Sequence, residues 1–214
     1  MNLEYVLPKD IEKRSFEIIE SELRDIKLDD DIKPIVMRAI HTTADFDYLE
    51  NLYFSENAIK IVLERMRRGT VIVTDTNMAK AGINKSALTR HDCECVCFMA
   101  DEDVALAAKA DGSTRAAASV DKAARLGKPV IYAVGNAPTA LVRICEHMEN
   151  GTFTPEFVIG APVGFVNVVQ SKELLIASGV PCIVARGRKG GSNVAAAICN
   201  ALLYMLDAQN AVEL

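Results

Sequence analysis

From residue 70 onward the chain alternates short apolar runs with helical stretches, and this alternation limits the folds open to it more than any other feature. The runs "TVIVTD", "CECVCFM", "PVIYAV", "EFVIGAPV" and "PCIVAR" are β-rich. Each is followed by a loop with Gly, Asp, Ser or Thr and then by an Ala-rich or amphipathic helix, such as "STRAAASVDKAARLG" or "SNVAAAICNALLYMLDA". Strand–helix alternation implies right-handed crossovers and a mainly parallel sheet with helices on both faces. The near-continuous apolar strands fit a sheet buried on both sides. The expected class is therefore α/β, doubly wound, preceded by a helical N-terminal segment.

In that segment Ile11, Ile18, Ile19, Leu23 and Ile26 fall at helical spacing between Pro8 and about Lys27, and Ser15 shares their stripe. The turn "LDDD" separates a second helix, in which Pro34 is tolerable only near the first turn. It runs through Val36, Met37 and Ile40 towards His41 and frays near Asp45. After a polar connection, "SENAIKIVLERMRRG" reads as a helix capped by Ser55 and closed by Gly69. No repeat or interdomain linker interrupts the pattern. One domain over residues 1–214 is expected, with N-terminal helices over about 8–68 and the parallel core over about 69–210.

The net charge of −5 argues against general nucleic-acid binding, which needs a broad basic surface. A local arginine cluster can still oppose the global sign and hold a small anion. The N-terminus does not read as a signal peptide, and no apolar run reaches bilayer length, so a cytoplasmic protein is expected. Three of the six cysteines, Cys93, Cys95 and Cys97, alternate along one run. On a strand they share a face, whereas structural zinc sites usually show paired C-x2-4-C turns. Buried, reduced thiols are expected there, and no metal site.

Ligands of such sheets bind beyond the carboxyl ends of the strands. The loop "ARGRKGGSN" follows the last strand and opens the last helix. Gly190 and Gly191 allow close backbone approach, the helix start favours an anion, and Arg186, Arg188 and Lys189 add positive charge. A carboxylate or phosphate is the natural partner, with a solvated basic turn as the plainer reading. Arg115 lies in the first turn of "STRAAAS", where the helix dipole disfavours a cation; a ligand contact and a surface position are both open. No G-x-G-x-x-G follows the first strand, so the dinucleotide fingerprint is missing.

Of three histidines, His147 falls in the last turn of a helix and His91 just before a strand, and both read as structural. His41 ends the apolar stretch of "MRAIHTTADFD", with Met37 one turn before and Asp45 one turn after. Catalytic and core roles are both open for it on this pattern. No nucleophile elbow competes.

Several blocks in order, "IEKRSFEII", "RAIHTTADFD", "TDTNMAKAGI", "GSTRAAAS", "VGNAPTAL", "PVGFVNVVQSKELL" and "RGRKGGSNVAAA", resemble precorrin-8X methylmutase, a family that includes cobalt-precorrin-8 methylmutase of cobalamin biosynthesis. The resemblance runs from about residue 10 to 200. One departure is Gln170 in "VQSK", where an acidic residue is expected. The resemblance implies an isomerase that moves a methyl group from carbon 11 to carbon 12 of a corrin-type macrocycle, giving hydrogenobyrinic acid or cobyrinic acid. The shift is intramolecular, so no cofactor is implied.

By the same resemblance His41 is the catalytic proton donor, with Ser15 beside it as an orienting residue. Apart from the resemblance, Asp45 is expected to raise the pKa of His41 by charge proximity. An imidazole suits the task because it titrates near neutral pH, and protonating ring C makes the conjugated system electron-poor. Arg115, Arg186, Arg188 and Lys189, with the amides of Gly190 and Gly191, would hold the acidic side arms. "NMAKAGI" and "APVGFV" would line apolar walls. A homodimer is implied. The alternatives are a Rossmann-like methyltransferase using S-adenosylmethionine and a non-enzymatic tetrapyrrole carrier.

Overall fold

The computed structural model describes residues 3–23 and 26–212. Its N-terminal part contains α1 (Ile11–Leu23), α2 (Lys33–Thr43), α3 (Tyr48–Asn51), strand β1 (Leu52–Phe54) and α4 (Ala58–Arg67). The alternating part follows: β2 (Val71–Thr74), α5 (Asn77–Gly82), α6 (Lys85–Arg90), β3 (Glu94–Val96), α7 (Glu102–Ala110), α8 (Arg115–Ala124) and β4 (Val130–Val134). It continues with α9 (Pro138–Glu149), β5 (Phe157–Gly160), α10 (Val168–Ala177), β6 (Cys182–Ala185) and α11 (Ser192–Val212).

The six strands form one sheet in the order β1-β6-β5-β4-β2-β3, parallel throughout except for β1. Successive strand residues alternate between two cores, as the period of two requires. Ile131, Ile159 and Ile183 meet α2, α4 and α11 on one face, while Tyr132, Val158 and Val184 meet α7 to α10 on the other. Helices thus cover both faces.

Three local expectations are corrected. The N-terminal segment is not purely helical: "LYF" forms β1, which pairs antiparallel with β6 and closes that edge. Ser55 does not cap α4. Its hydroxyl accepts the Cys182 amide at 2.8 Å, extending the β1–β6 ladder, and Asn57 in the left-handed region precedes the helix instead. The strand in "CECVC" spans only Glu94–Val96, so Cys93 and Cys97 flank it; Cys93 and Cys95 do pack against the same core. Burial pushes the Cys95 thiol up to about 12. Pro34 does sit in the first turn of α2, and Gly69 takes φ +73° just past α4.

The chain direction across the sheet reverses between β2 and β4, the topological switch point where a crevice opens in doubly wound sheets. Here the chain fills it. The Asp75 carboxylate, immediately after β2 and fully buried, accepts the amides of Gly135 (2.8 Å), Asn136 (2.8 Å) and Ala137 (2.6 Å) at the start of α9. Burial pushes this carboxyl up, opposed by the three amides. Above it α11 begins: Ser192 bonds Thr76 at 2.7 Å, and a Cβ on Gly135 would lie 2.7 Å from the Ser192 Cα.

Two outcomes test this architecture. Phe157→Ala, at a fully buried position in β5, should cost about 4 kcal/mol and lower Tm by about 10 °C in a thermal melt followed by circular dichroism. Asp75→Ala leaves three amides without an acceptor and should cost about 3 kcal/mol in urea unfolding. Asp75→Asn should fare little better, since its amide turns a donor towards donors.

Candidate active site

The rim at the carboxyl end of the parallel strands gathers most of the expected site residues. His41 is in the last turn of α2, exposed to solvent, with its ring stacked on Phe16 of α1 at 5.1 Å between centroids and 30° between planes. Ala44, in the left-handed region, ends α2 and turns the chain so that Asp45 and Asp47 meet Lys189, each at 2.6 Å. That ion cluster ties the end of α2 to the loop after β6 and so fixes His41 on the rim. The Lys189 ammonium holds the Asp45 carboxyl below its usual range.

His91 and His147 sit elsewhere. His91 ends α6 just before β3, at the opposite end of the strands, and bonds Asp207 at 2.9 Å. His147 is in the last turn of α9, the helix end remote from the β4 carboxyl end at which α9 starts, and bonds Asp121 and Thr152, each at 2.7 Å.

Two expected partners of His41 are otherwise engaged. The Ser15 hydroxyl donates to the Ile11 carbonyl of its own helix at 2.9 Å, and α1 touches the imidazole through Phe16 instead. Asp45 pairs with Lys189 rather than acting on His41. A hydroxyl on a helix readily bonds the carbonyl one turn back, which explains Ser15.

The loop from Arg186 to Gly191 is tied down on every side. The Arg186 amide donates to Asn51, its guanidinium grips Glu173 of α10 at 2.9 and 3.1 Å, and it lies over the Tyr53 ring at 5.3 Å. The Gly191 amide donates to Ala161, and a Cβ on Gly190 (φ +157°) would collide with that same carbonyl. The glycines thus let the loop approach its own neighbour after β5, the Gly191 amide being taken by Ala161. The Arg188 carbonyl accepts from Gly164, and its guanidinium lies 5.5 Å over Phe165 with no ion pair among the described residues.

Arg115 opens α8, exposed and also without an ion pair among the described residues. Thr114 bonds Thr139 at 2.8 Å, which brings the start of α8 to the start of α9 at the same end of the sheet. Exposed apolar side chains stand nearby: Met78 (72% exposed) in the first turn of α5, and Phe165 (81%) and Val166 (78%) on the loop after β5. Such a surface, apolar with two unpaired guanidinium groups and an accessible imidazole, suits a flat, partly apolar polyanion.

Sequence reasoning missed three residues of the site: Phe16, Asp75 and Lys172. Lys172 is fully buried on α10, and its Nζ donates to the carbonyls of Gly187 (2.8 Å) and Lys189 (2.9 Å). Burial alone pushes it down to about 8. The available signal was its place in the stripe Val168, Ser171, Lys172, Leu175, a core-facing spacing that normally excludes a charge.

The family model described as precorrin-8X methylmutase matches residues 10–205. The cobalt-precorrin-8 methylmutase of Salmonella typhimurium is 46% identical over 93% of this chain and 96% of its own length. The precorrin-8X methylmutase of Pseudomonas aeruginosa is 34% identical over 90% of this chain and 93% of its own. The crystal structure of precorrin-8X methyl mutase from Thermus thermophilus superposes with a TM-score of 0.85 at 36% identity, over 94% of this chain and 98% of that one. The family model spans nearly the whole chain and these relatives are 34% to 46% identical over almost their full lengths, so this chain belongs to the precorrin-8X methylmutase family.

Proposed function

We propose that the chain isomerises precorrin-8X or cobalt-precorrin-8 to hydrogenobyrinic acid or cobyrinic acid, moving a methyl group from carbon 11 to carbon 12, with His41 as the proton donor. The observation that carries the catalytic assignment is placement: among the three histidines, His41 alone stands exposed on the carboxyl-end rim, next to the loop that carries Arg188. A proton lent to the ring C nitrogen draws electron density from the conjugated system and eases the sigmatropic shift. The methyl group migrates with its bonding electrons. The proton is then given up, so substrate and product are isomers and no methyl donor is consumed.

The carboxylate contacts fall to Arg188 and Arg115, because Arg186 and Lys189 are already neutralised within the chain. Ser15 bonds its own helix and the Gly191 amide bonds Ala161, so in this reading both shape the site rather than carry a carboxylate contact. Phe165, Val166 and Met78 supply the apolar wall. A single domain acting as a cytoplasmic homodimer completes the proposal. No described helix is long and apolar enough to cross a membrane.

The test is the visible spectrum of a precorrin-8-type substrate mixed with protein alone. Wild type should convert it to the corrin chromophore, and His41→Ala should slow conversion by about 10²–10⁴-fold while still binding the pigment. Conversion that needs S-adenosylmethionine would favour a methyltransferase, and binding without conversion a carrier. A second set of variants tests the arginines: Arg188→Ala should weaken pigment binding about tenfold, and Arg186→Ala about twofold or less, read by spectral titration. His91→Gln and His147→Gln should leave turnover nearly intact; a large loss in either would move the proton donor away from His41.

A further inference from the structure

The loop that presents Arg188 rests on a charge with no counter-ion. Lys172 occupies a core-facing position of α10, between Val168 and Leu175, and is entirely out of solvent. Its neighbour Glu173 turns to Arg186, and no carboxylate pairs with Lys172 among the described residues. A buried, unpaired ammonium opposes folding. Its level of about 8, against 10.5 for an ordinary lysine, gives the sign. The unfolded chain binds this proton more tightly, so the penalty is fully present below about pH 8 and fades as pH rises towards 10.5. The charge is thus a cost that the two backbone contacts of the ammonium must offset, and those contacts are what set this lysine apart from an apolar residue of like length.

What Lys172 does is local. It draws the carbonyls of Gly187 and Lys189 inward, so the residue between them is left at the outer bend of the loop. That residue is Arg188, whose own carbonyl is held by Gly164 and whose guanidinium lies over Phe165. We propose that Lys172 is a positioning residue for substrate binding: by gripping the two carbonyls it sets the loop in the one shape that presents Arg188 to a substrate carboxylate. This rests on the methylmutase reading, which makes the substrate a polycarboxylate.

The experiment compares Lys172→Met, Arg188→Ala and the double variant with wild type, using cobyrinic acid as the binding probe. In Lys172→Met the amides of residues 187–191 should exchange with solvent faster, while those of 135–137, held by Asp75, stay as in wild type. Cobyrinic acid affinity should fall about tenfold, and the single-turnover rate at saturating substrate should stay within about twofold. In the Arg188→Ala background the same substitution should weaken binding by less than about twofold, because there is no cation left to position.

Unchanged exchange in the loop would overturn the proposal, and so would a full, independent loss of affinity in the Arg188→Ala background. If the loop loosens but only Arg188→Ala loses affinity, Lys172 has no part in binding. If neither single variant loses affinity, the carboxylate-site reading falls and takes this one with it. Lys172→Gln, which keeps a shorter uncharged donor, should show a smaller loss of the same pattern. It answers the question if the methionine variant does not fold.

Discussion

The carboxyl end of the sheet depends on one buried carboxylate. At the switch point of a doubly wound sheet, amides at a helix start commonly receive an anionic ligand. In this chain Asp75 takes that place, accepting three amides at the start of α9. The crevice is thereby closed from within, and Gly135 leaves room for α11 to begin directly over it. The proposed site lies further out, on the loops after β5 and β6 and at the end of α2, which accords with a switch point occupied by the protein's own carboxylate.

The same economy of charge governs the rim. Five cations lie there or just below it, yet they are not equivalent. Arg186 is spent on Glu173, Lys189 on Asp45 and Asp47, and Lys172 on two carbonyls. Each of these shapes the loop. Arg188 and Arg115 are left to face solvent, each beside apolar surface or a helix start. A chain with a net charge of −5 can in this way still offer a polyanion a local positive field, since screening confines the global charge to short range.

His41 gains its position from the same ties. The left-handed residue Ala44 ends α2 and directs Asp45 and Asp47 to Lys189, so ion pairs join the helix end to the basic loop. Phe16 stacks on the imidazole from the other side. An exposed ring between an aromatic plate and a pinned helix end is held in orientation while its nitrogens stay accessible. The proton transfer proposed for His41 would use such an accessible ring.

The strand–helix alternation, the two-faced burial of the sheet, Pro34 at a helix start and the clustering of His41 with the post-β6 loop were all legible in the chain itself. The first three arise from periods of two and 3.6 residues and from proline geometry, which act within a short window. The family motifs carried the fourth. What stayed hidden shares one cause: it depends on partners far apart in sequence. β1 exists because "LYF" meets β6, and the Ser55 hydroxyl finds an amide 127 residues away. Ser15 and Asp45 looked like companions of His41, yet each satisfies a nearer carbonyl or cation. Gly190 and Gly191 announced a close approach without saying to what, and tertiary packing chose Ala161. Lys172 drew no notice in the sequence, and only the fold shows its core-facing place on α10 beneath the loop. Local periodicity determines which segments become strands and helices; only the folded arrangement decides which polar groups satisfy one another, and therefore which charges remain free to bind.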